Sequence, residues 1–213
     1  MGLKAHGGLT LAAAYPFRVV FVRHGETDWN AENRLQGQRD TQLNGRGREQ
    51  AGSLGRTLRA EIGAEIDRIE AAGGFVASPL ERARETMAIL RAAIGLPAEG
   101  YRLDPALMEL SFGDWEGLTW AEIRSRCPDG AAARRVEKWG FVPPGGESYA
   151  MLAERVRGWL GSLEGEAFVV AHGGVARALM VLIAGEAPEA AASAPIPQGR
   201  AIVFDKGRRW LIG

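Results

Sequence analysis

Two histidines stand at matching positions, each just after a short apolar run. Residues 18–22 read RVVFV and lead into Arg23-His24-Gly25; residues 167–171 read AFVVA and lead into His172-Gly173-Gly174. A third run, GFVA at 74–77, leads into Ser78-Pro79-Leu80-Glu81-Arg82. Runs of four or five apolar residues, followed by turn residues and then a helical pattern, read as buried strands feeding helices. In parallel sheets of this kind, ligands bind beyond the carboxyl ends of the strands. With the three runs as parallel neighbours, Arg23, His24, Arg82 and His172 converge on one spot, towards which helix N-termini aim free N–H groups. Such a constellation suits an anion with several oxygens, and phosphate fits best.

Phosphoryl transfer without a metal sets three demands. Fixed positive charge must surround the equatorial oxygens, which Arg23, Arg82 and a protonated His172 can supply. A nucleophile must attack phosphorus, and histidine forms covalent intermediates of this kind; His24 is the candidate, with Gly25 letting the backbone come close to the phosphate. A proton must reach the leaving oxygen from a carboxylic acid with a raised pKa. Glu109 lies in the apolar stretch Leu107-Met108-Glu109-Leu110-Ser111-Phe112-Gly113, where desolvation raises a carboxyl pKa. Glu26 and Glu116 are the competing acids. His6, far from any motif, reads as a structural histidine, and Thr27 and Asp28 read as local turn and cap residues.

The elements that position these residues follow from periodicity. Asn44 can cap a helix in which Ala51, Leu54, Leu58 and Ile62 recur at helical spacing. Ser78 and Pro79 read as the cap and first residue of a second helix, with Leu80, Ala83, Met87, Leu90 and Ile94 on one stripe and Gly95 as its stop. A very apolar helix follows His172, and residues 201–205 and 210–212 read as a closing hairpin around Lys206-Gly207. Residues 110–146 form a weakly patterned, partly helical insertion over one end of the sheet. Trp115, Trp120, Trp139 and Phe141 there can line a pocket or fill a core. Arg134-Arg135 is by type a surface pair, or a contact for a second acidic group on the substrate. The expected architecture is α/β: a single three-layer α/β/α domain over 17–213, with a mostly parallel central sheet, preceded by an extension over 1–16.

Composition excludes several classes. The 213 residues are 46% hydrophobic and 24% charged, which rules out a disordered, collagen-like or coiled-coil chain. Lysine plus arginine number 26 against 26 acids, so no charge excess marks a nucleic-acid or membrane-surface binder. No stretch approaches the roughly 18 apolar residues of a membrane span, and the N-terminus lacks the pattern of a secretion signal. The single cysteine, Cys127, excludes an intrachain disulfide and suits a reducing compartment, hence the cytoplasm.

Val22-Arg23-His24-Gly25-Glu26-Thr27-Asp28-Trp29-Asn30 resembles the signature of the histidine phosphatase superfamily, the phosphoglycerate mutase-like family. The resemblance extends through Gln36-Gly37, Asp40 and Leu43, through Ser78-Pro79-Leu80 with Arg82, Ala83 and Thr86, and through Glu109 and Val170-Ala171-His172-Gly173-Gly174, covering about residues 18–180 in order. It implies a phosphoglycerate mutase-like fold and a phosphorylated nucleophile at His24. It implies a phosphoryl group held by Arg23, Arg82 and His172, with contacts from Asn30 and Gly173. Glu109 is the implied proton donor, Gln36 and Gly37 line the entrance, and hydrolysis needs no metal or organic cofactor. Mutases of the family are longer, with a basic insert after the acid. Phe112-Gly113-Asp114-Trp115-Glu116-Gly117-Leu118 and Pro144-Gly145-Gly146-Glu147-Ser148 instead resemble the phosphatase branch, including α-ribazole phosphatase-like and broad-specificity monoesterases. The expectation is a phosphomonoester hydrolase acting on a small phosphorylated metabolite and releasing inorganic phosphate, as a monomer or homodimer. A mutase-type isomerase and a weakly active phospho-ligand binding protein are the alternatives.

Overall fold

The computed structural model describes residues 15–213. His6 and most of the expected N-terminal extension lie outside that range. The six strands are β1 (Val19–Arg23), β2 (Phe75–Ala77), β3 (Arg102–Leu103), β4 (Ala167–Ala171), β5 (Ala201–Asp205) and β6 (Arg208–Ile212). They form one sheet in the order β3-β2-β4-β1-β5-β6. β3, β2, β4 and β1 run parallel; β5 is antiparallel to β1, and β6 to β5.

The three runs that carry the motifs are thus neighbours, with β4 in the middle. Register aligns their carboxyl ends: Arg23 lies opposite Ala171, and Ala77 opposite Val170. The ladder continues one residue further on both sides, His24 N–H donating to Ala171 O at 2.9 Å and Ser78 N–H to Val170 O at 3.0 Å. His24, Ser78 and His172 therefore leave the sheet side by side.

The helices are α1 (Asp28–Ala31), α2 (Gly45–Ala71), α3 (Glu81–Ala93), α4 (Trp120–Arg126), α5 (Pro128–Val136), α6 (Tyr149–Gly161), α7 (Gly173–Leu182) and α8 (Pro188–Ser193). Alternate strand residues point to opposite faces, and both faces here are apolar. Val20, Val22, Phe75, Ala77, Phe168 and Val170 pack under α2 and α3; Val19, Phe21, Val76, Val169 and Ala171 pack under α6, α7 and α8. The result is three layers, α/β/α.

Several boundaries differ from the sequence reading. Asn44 caps α2, its side chain accepting from Gly47 N at 2.9 Å, but the helix continues to Ala71 across a break at Ile62 (φ −134°). α3 starts at Glu81, with Leu80 at its cap and no side-chain capping bond. Its first N–H donates to Asp40 Oδ1 at 2.7 Å, which leaves Ser78 free for another partner. β3, α6 and α8 went unread. In α6, Ser148 caps a helix that buries Tyr149, Leu152, Ala153, Val156, Trp159 and Leu160 at helical spacing.

Residues 110–146 contain a 3₁₀ turn (Gly113–Trp115), α4 and α5. Trp115 and Trp139 are buried, stacked on Phe141 and Tyr149 at 5.4 and 5.8 Å. Of the four aromatics, only Trp120 reaches the cleft described next.

Candidate active site

A cleft of about 250 Å³ opens at the carboxyl ends of β1, β4 and β2. Arg23, His24, Asn30, Gln36, Gly37, Arg82, Glu109 and Gly173 all line it. His172 lies immediately behind His24, ring centroids 5.2 Å apart. All nine residues singled out from the sequence thus come to one place.

His24 is 3% exposed, and its Nδ1 lies 2.7 Å from Gly25 O. A carbonyl only accepts, so Nδ1 carries the proton and Nε2 keeps its lone pair. Burial, then Arg82 and Arg23, push the His24 pKa well below its usual 6.5, so at neutral pH the ring is an uncharged base with Nε2 free. Gly25 serves a different purpose from the one expected. A Cβ there would lie 2.4 Å from Gly47 O, so the glycine lets β1's exit cross the first turn of α2. No approach to phosphate is needed to explain it.

His172 is fully buried, its Nε2 2.7 Å from Ser78 Oγ, while Nδ1 is buried without a partner. Ser78 Oγ also accepts from Leu80 N at 3.4 Å, and with its hydroxyl donating to His172 Nε2 the ring proton sits on Nδ1. Burial, Arg82, His24 and Arg23 push its pKa well below 6.5. The expectation of a protonated His172 is therefore corrected: the imidazole is neutral and offers an N–H, not a charge.

Arg82 is 1% exposed; it donates to Arg39 O and Gly37 O, both at 2.8 Å, and its Nε has no partner. Burial pushes its pKa down to about 10, so it stays charged at neutral pH. Arg23 donates one bond, to Ile196 O at 2.8 Å, and its buried Nε is likewise unpartnered. Burial lowers its pKa, Glu109 opposing the shift. Neither arginine forms an ion pair within 4 Å among the described residues, whereas many arginines nearer the surface do. Buried cations without a counter-charge in contact are costly, and an anion in the cleft offsets them.

Asn30 is held by Thr27, the cap of α1, and by Gln198 Nε2, which donates to Asn30 Oδ1 at 3.0 Å. Its amide nitrogen is left for the cleft. Gln36 is buried and accepts from Thr41 Oγ1 at 2.6 Å.

Glu109 is seated differently from the apolar setting expected. Its Oε1 accepts from Leu110 N at 2.9 Å and Gly174 N at 3.0 Å, and its Oε2 lies 3.1 Å from Gly174 N. The carboxyl group thus sits on the N-terminus of α7, beside the guanidinium of Arg23, and its surroundings are polar. Gly174 has to be glycine for this: a Cβ would lie 2.1 Å from Oε1. Behind Glu109, Arg155 donates to Ala106 O (2.7 Å), Met108 O (2.8 Å) and Glu109 O (3.0 Å), and is paired with Glu147 at 3.0 Å. Glu147 in turn accepts from Ser111 N at 2.9 Å. Glu116 instead accepts backbone N–H bonds from Gln38 and Phe112, and Glu26 faces Asn44 and Arg46; neither lines the cleft.

Arg34, Leu35, Leu110, Phe112, Trp120, Arg134, Lys138, Tyr149 and Arg177 complete the cleft wall. The sequence reading missed Lys138, Tyr149, Arg177, Gln198, Arg155 and the bond from Ser78 to His172. One signal was present for Arg177, the only charge in the otherwise apolar α7.

Three parallel strands that deliver two neutral imidazoles and two unpaired arginines to one cleft define an α/β enzyme of the phosphoglycerate mutase-like fold. The family model described as "Histidine phosphatase superfamily (branch 1)" matches residues 19–209, and the chain belongs to that family. It is similar to the glucosyl-3-phosphoglycerate phosphatase of Mycobacterium tuberculosis, 37% identical over 175 residues, covering 76% of this chain and 73% of the relative. It is also similar to the 2,3-bisphosphoglycerate-dependent phosphoglycerate mutase of Afipia carboxidovorans, 30% identical over 193 residues, covering 87% and 90%. Among solved structures, the α-ribazole phosphatase of Shigella flexneri superposes with a TM-score of 0.73 at 26% identity, covering 89% of this chain and 90% of the other.

Proposed function

We propose that the protein hydrolyses the phosphomonoester of a small phosphorylated metabolite through a phosphohistidine on His24. One observation carries the assignment: the His24 Nδ1–H is fixed on Gly25 O, which leaves a neutral Nε2 with its lone pair between two unpaired guanidiniums. Nε2 attacks phosphorus as the ester P–O bond breaks, and Glu109, in its acid form, gives its proton to the departing oxygen. Arg23, Arg82, the Nδ1–H of His172 and the amide of Asn30 hold the phosphoryl oxygens, and Gly173 presents the N-terminus of α7. In the second half, water attacks the phosphohistidine, Glu109 takes the water's proton, and the P–N bond breaks to release inorganic phosphate.

The positive charge this chemistry needs comes from fixed side chains, so the reaction proceeds without a metal or organic cofactor. Among the described residues no group of three His, Cys, Asp or Glu is placed to hold a metal ion, and no helix is long and apolar enough to cross a membrane. With one free cysteine, work in the cytoplasm is the compartment this reading favours, on small-molecule substrates and as a monomer or homodimer.

A panel of phosphate monoesters assayed in the presence of a chelator tests the reading. It expects phosphate release at an unchanged rate. Activity lost in chelator and restored by a divalent ion overturns the metal-free route. Interconversion of 2- and 3-phosphoglycerate without phosphate release marks the mutase reading, which the similarity to the Afipia carboxidovorans mutase keeps in view.

A further inference from the structure

The segment between α8 and β5, Ala194-Pro195-Ile196-Pro197-Gln198, belongs to none of the sequence motifs, yet it bonds to four residues of the cleft wall. Proline fixes its own φ and holds the residue before it in extended backbone, and Ala194 is extended accordingly (φ −62°, ψ 136°). Two alternating prolines thus make a stiff strap. Gly199, at φ +70°, turns it into β5, where Ala201 lies opposite Val22 of β1. The strap is thereby moored beside the exit of β1. Two of its carbonyls face the cleft: Ala194 O accepts from Arg177 Nη2 at 3.0 Å and Ile196 O from Arg23 Nη1 at 2.8 Å.

Gln198 makes the other two contacts. Its Nε2 donates to His24 O at 3.1 Å and to Asn30 Oδ1 at 3.0 Å. A carbonyl only accepts, so His24 O fixes which end of the Gln198 amide is the nitrogen. The second N–H of that nitrogen meets Asn30, and the atom that receives it must be the oxygen. Thr27 N donates to the same Oδ1 at 3.2 Å. With Oδ1 occupied by these donors, Asn30 turns its NH₂ to the cleft, which Asn30 lines and Gln198 does not. The orientation of one phosphate donor is therefore set by a relay that starts on the main chain of the nucleophile.

We propose that Gln198 is a positioning residue: anchored on His24 O, it holds the Asn30 amide nitrogen towards the phosphoryl oxygens without itself touching substrate. The inference rests on the phosphatase reading above and adds to it a residue from outside the motifs.

Substitution at Gln198 tests it, read in two backgrounds. Gln198→Leu removes both N–H groups and should lower kcat/KM for p-nitrophenyl phosphate by about tenfold, the scale of one lost hydrogen bond. At pH 7 Gln198→Glu, of matching size but with an acceptor in place of the NH₂, should lose at least as much. In Asn30→Ala protein the Gln198→Leu loss should shrink to about twofold or less, the scatter expected of uncoupled sites, because the group through which Gln198 acts is gone. Equal losses in the two backgrounds mark a merely structural role and overturn the assignment. So does near-parental turnover in Gln198→Glu or in Gln198→Leu. Should Gln198→Leu fail to fold, Gln198→Glu in both backgrounds carries the same comparison. A parent protein that releases no phosphate from p-nitrophenyl phosphate overturns the phosphatase reading instead, and with it this inference.

Discussion

The two ends of the cleft are built on different principles. At the histidine end, four of the groups that face the phosphoryl site are fixed by backbone: His24 by Gly25 O, Arg82 by the carbonyls of Gly37 and Arg39, Arg23 by Ile196 O, and Glu109 by the N–H groups of Leu110 and Gly174. In the opposite wall, Arg134 of α5 stacks over Trp120 and Arg177 of α7 lies by Tyr149, while Lys138, in the turn after α5, has no hydrogen-bond partner among the described residues. One end is preorganised for charge that develops in a transition state; the other is held more loosely. Substitutions at the first should act on kcat for every substrate. Substitutions at the second should act on KM.

The largest separation is expected at Glu109. A positioned acid contributes about 10²–10⁴-fold, in proportion to the leaving group's need for a proton. Glu109→Gln should cut hydrolysis of an alkyl phosphate by that amount. It should slow phosphoenzyme formation from p-nitrophenyl phosphate far less, with phosphoenzyme accumulating because water attack still lacks its base. Burst kinetics with both substrates check this. Small, equal losses without accumulation would remove Glu109 from the histidine end.

Arg155 sharpens the comparison, because it never enters the cleft. Its three bonds to the carbonyls of residues 106, 108 and 109 set the height of the Glu109 loop. Arg155→Met should lower kcat on alkyl phosphates by about 10–100-fold, the usual cost of a displaced catalytic group. KM should change little, p-nitrophenyl phosphate should be less affected, and Arg155→Lys should restore part of the loss. A purely structural role would instead lower both substrates together.

How much of this was legible follows the same division. The histidine end could be read because strand exit, glycine turn and helix start are contiguous in sequence, as in Val22-Arg23-His24-Gly25 and Ala171-His172-Gly173-Gly174. Parallel pairing then needs only to bring such junctions together. Two details escaped even there. Ser78 looked like a helix cap but bonds His172, because Asp40, 41 residues upstream of Glu81, takes over the cap of α3. Glu109 looked apolar because its sequence neighbours are; its spatial neighbours are backbone N–H groups of α7, 65 residues away. The cationic end depends on how residues 110–146 fold and on the contacts of α5 with Trp120 and of α7 with Tyr149. No local pattern encodes those contacts. An arginine pair gives no sign of which member turns inward.

The smallest expected effect is a pH dependence at the cationic end. Lys138 is faced by Arg134 from α5, Arg177 from α7 and Tyr149 from α6, with Arg34 also in the wall. With its pKa lowered to about 8, it is charged below that pH and neutral above it. KM for a phosphomonoester dianion should therefore rise by about threefold as pH climbs through 8, one interaction among several. Lys138→Arg should remove the inflection, since arginine keeps its charge. An inflection that persists in that variant assigns it to another group.

The central claim, that His24 Nε2 takes the phosphoryl group, is tested most directly by trapping the intermediate. Protein mixed with a labelled monoester, quenched in alkali to preserve phosphohistidine and digested should carry the label on His24 alone. His24→Ala should carry none and should lose about 10⁵–10⁶-fold in turnover, as loss of a nucleophile does elsewhere. Label on His172, or label and turnover that persist in His24→Ala, would contradict it.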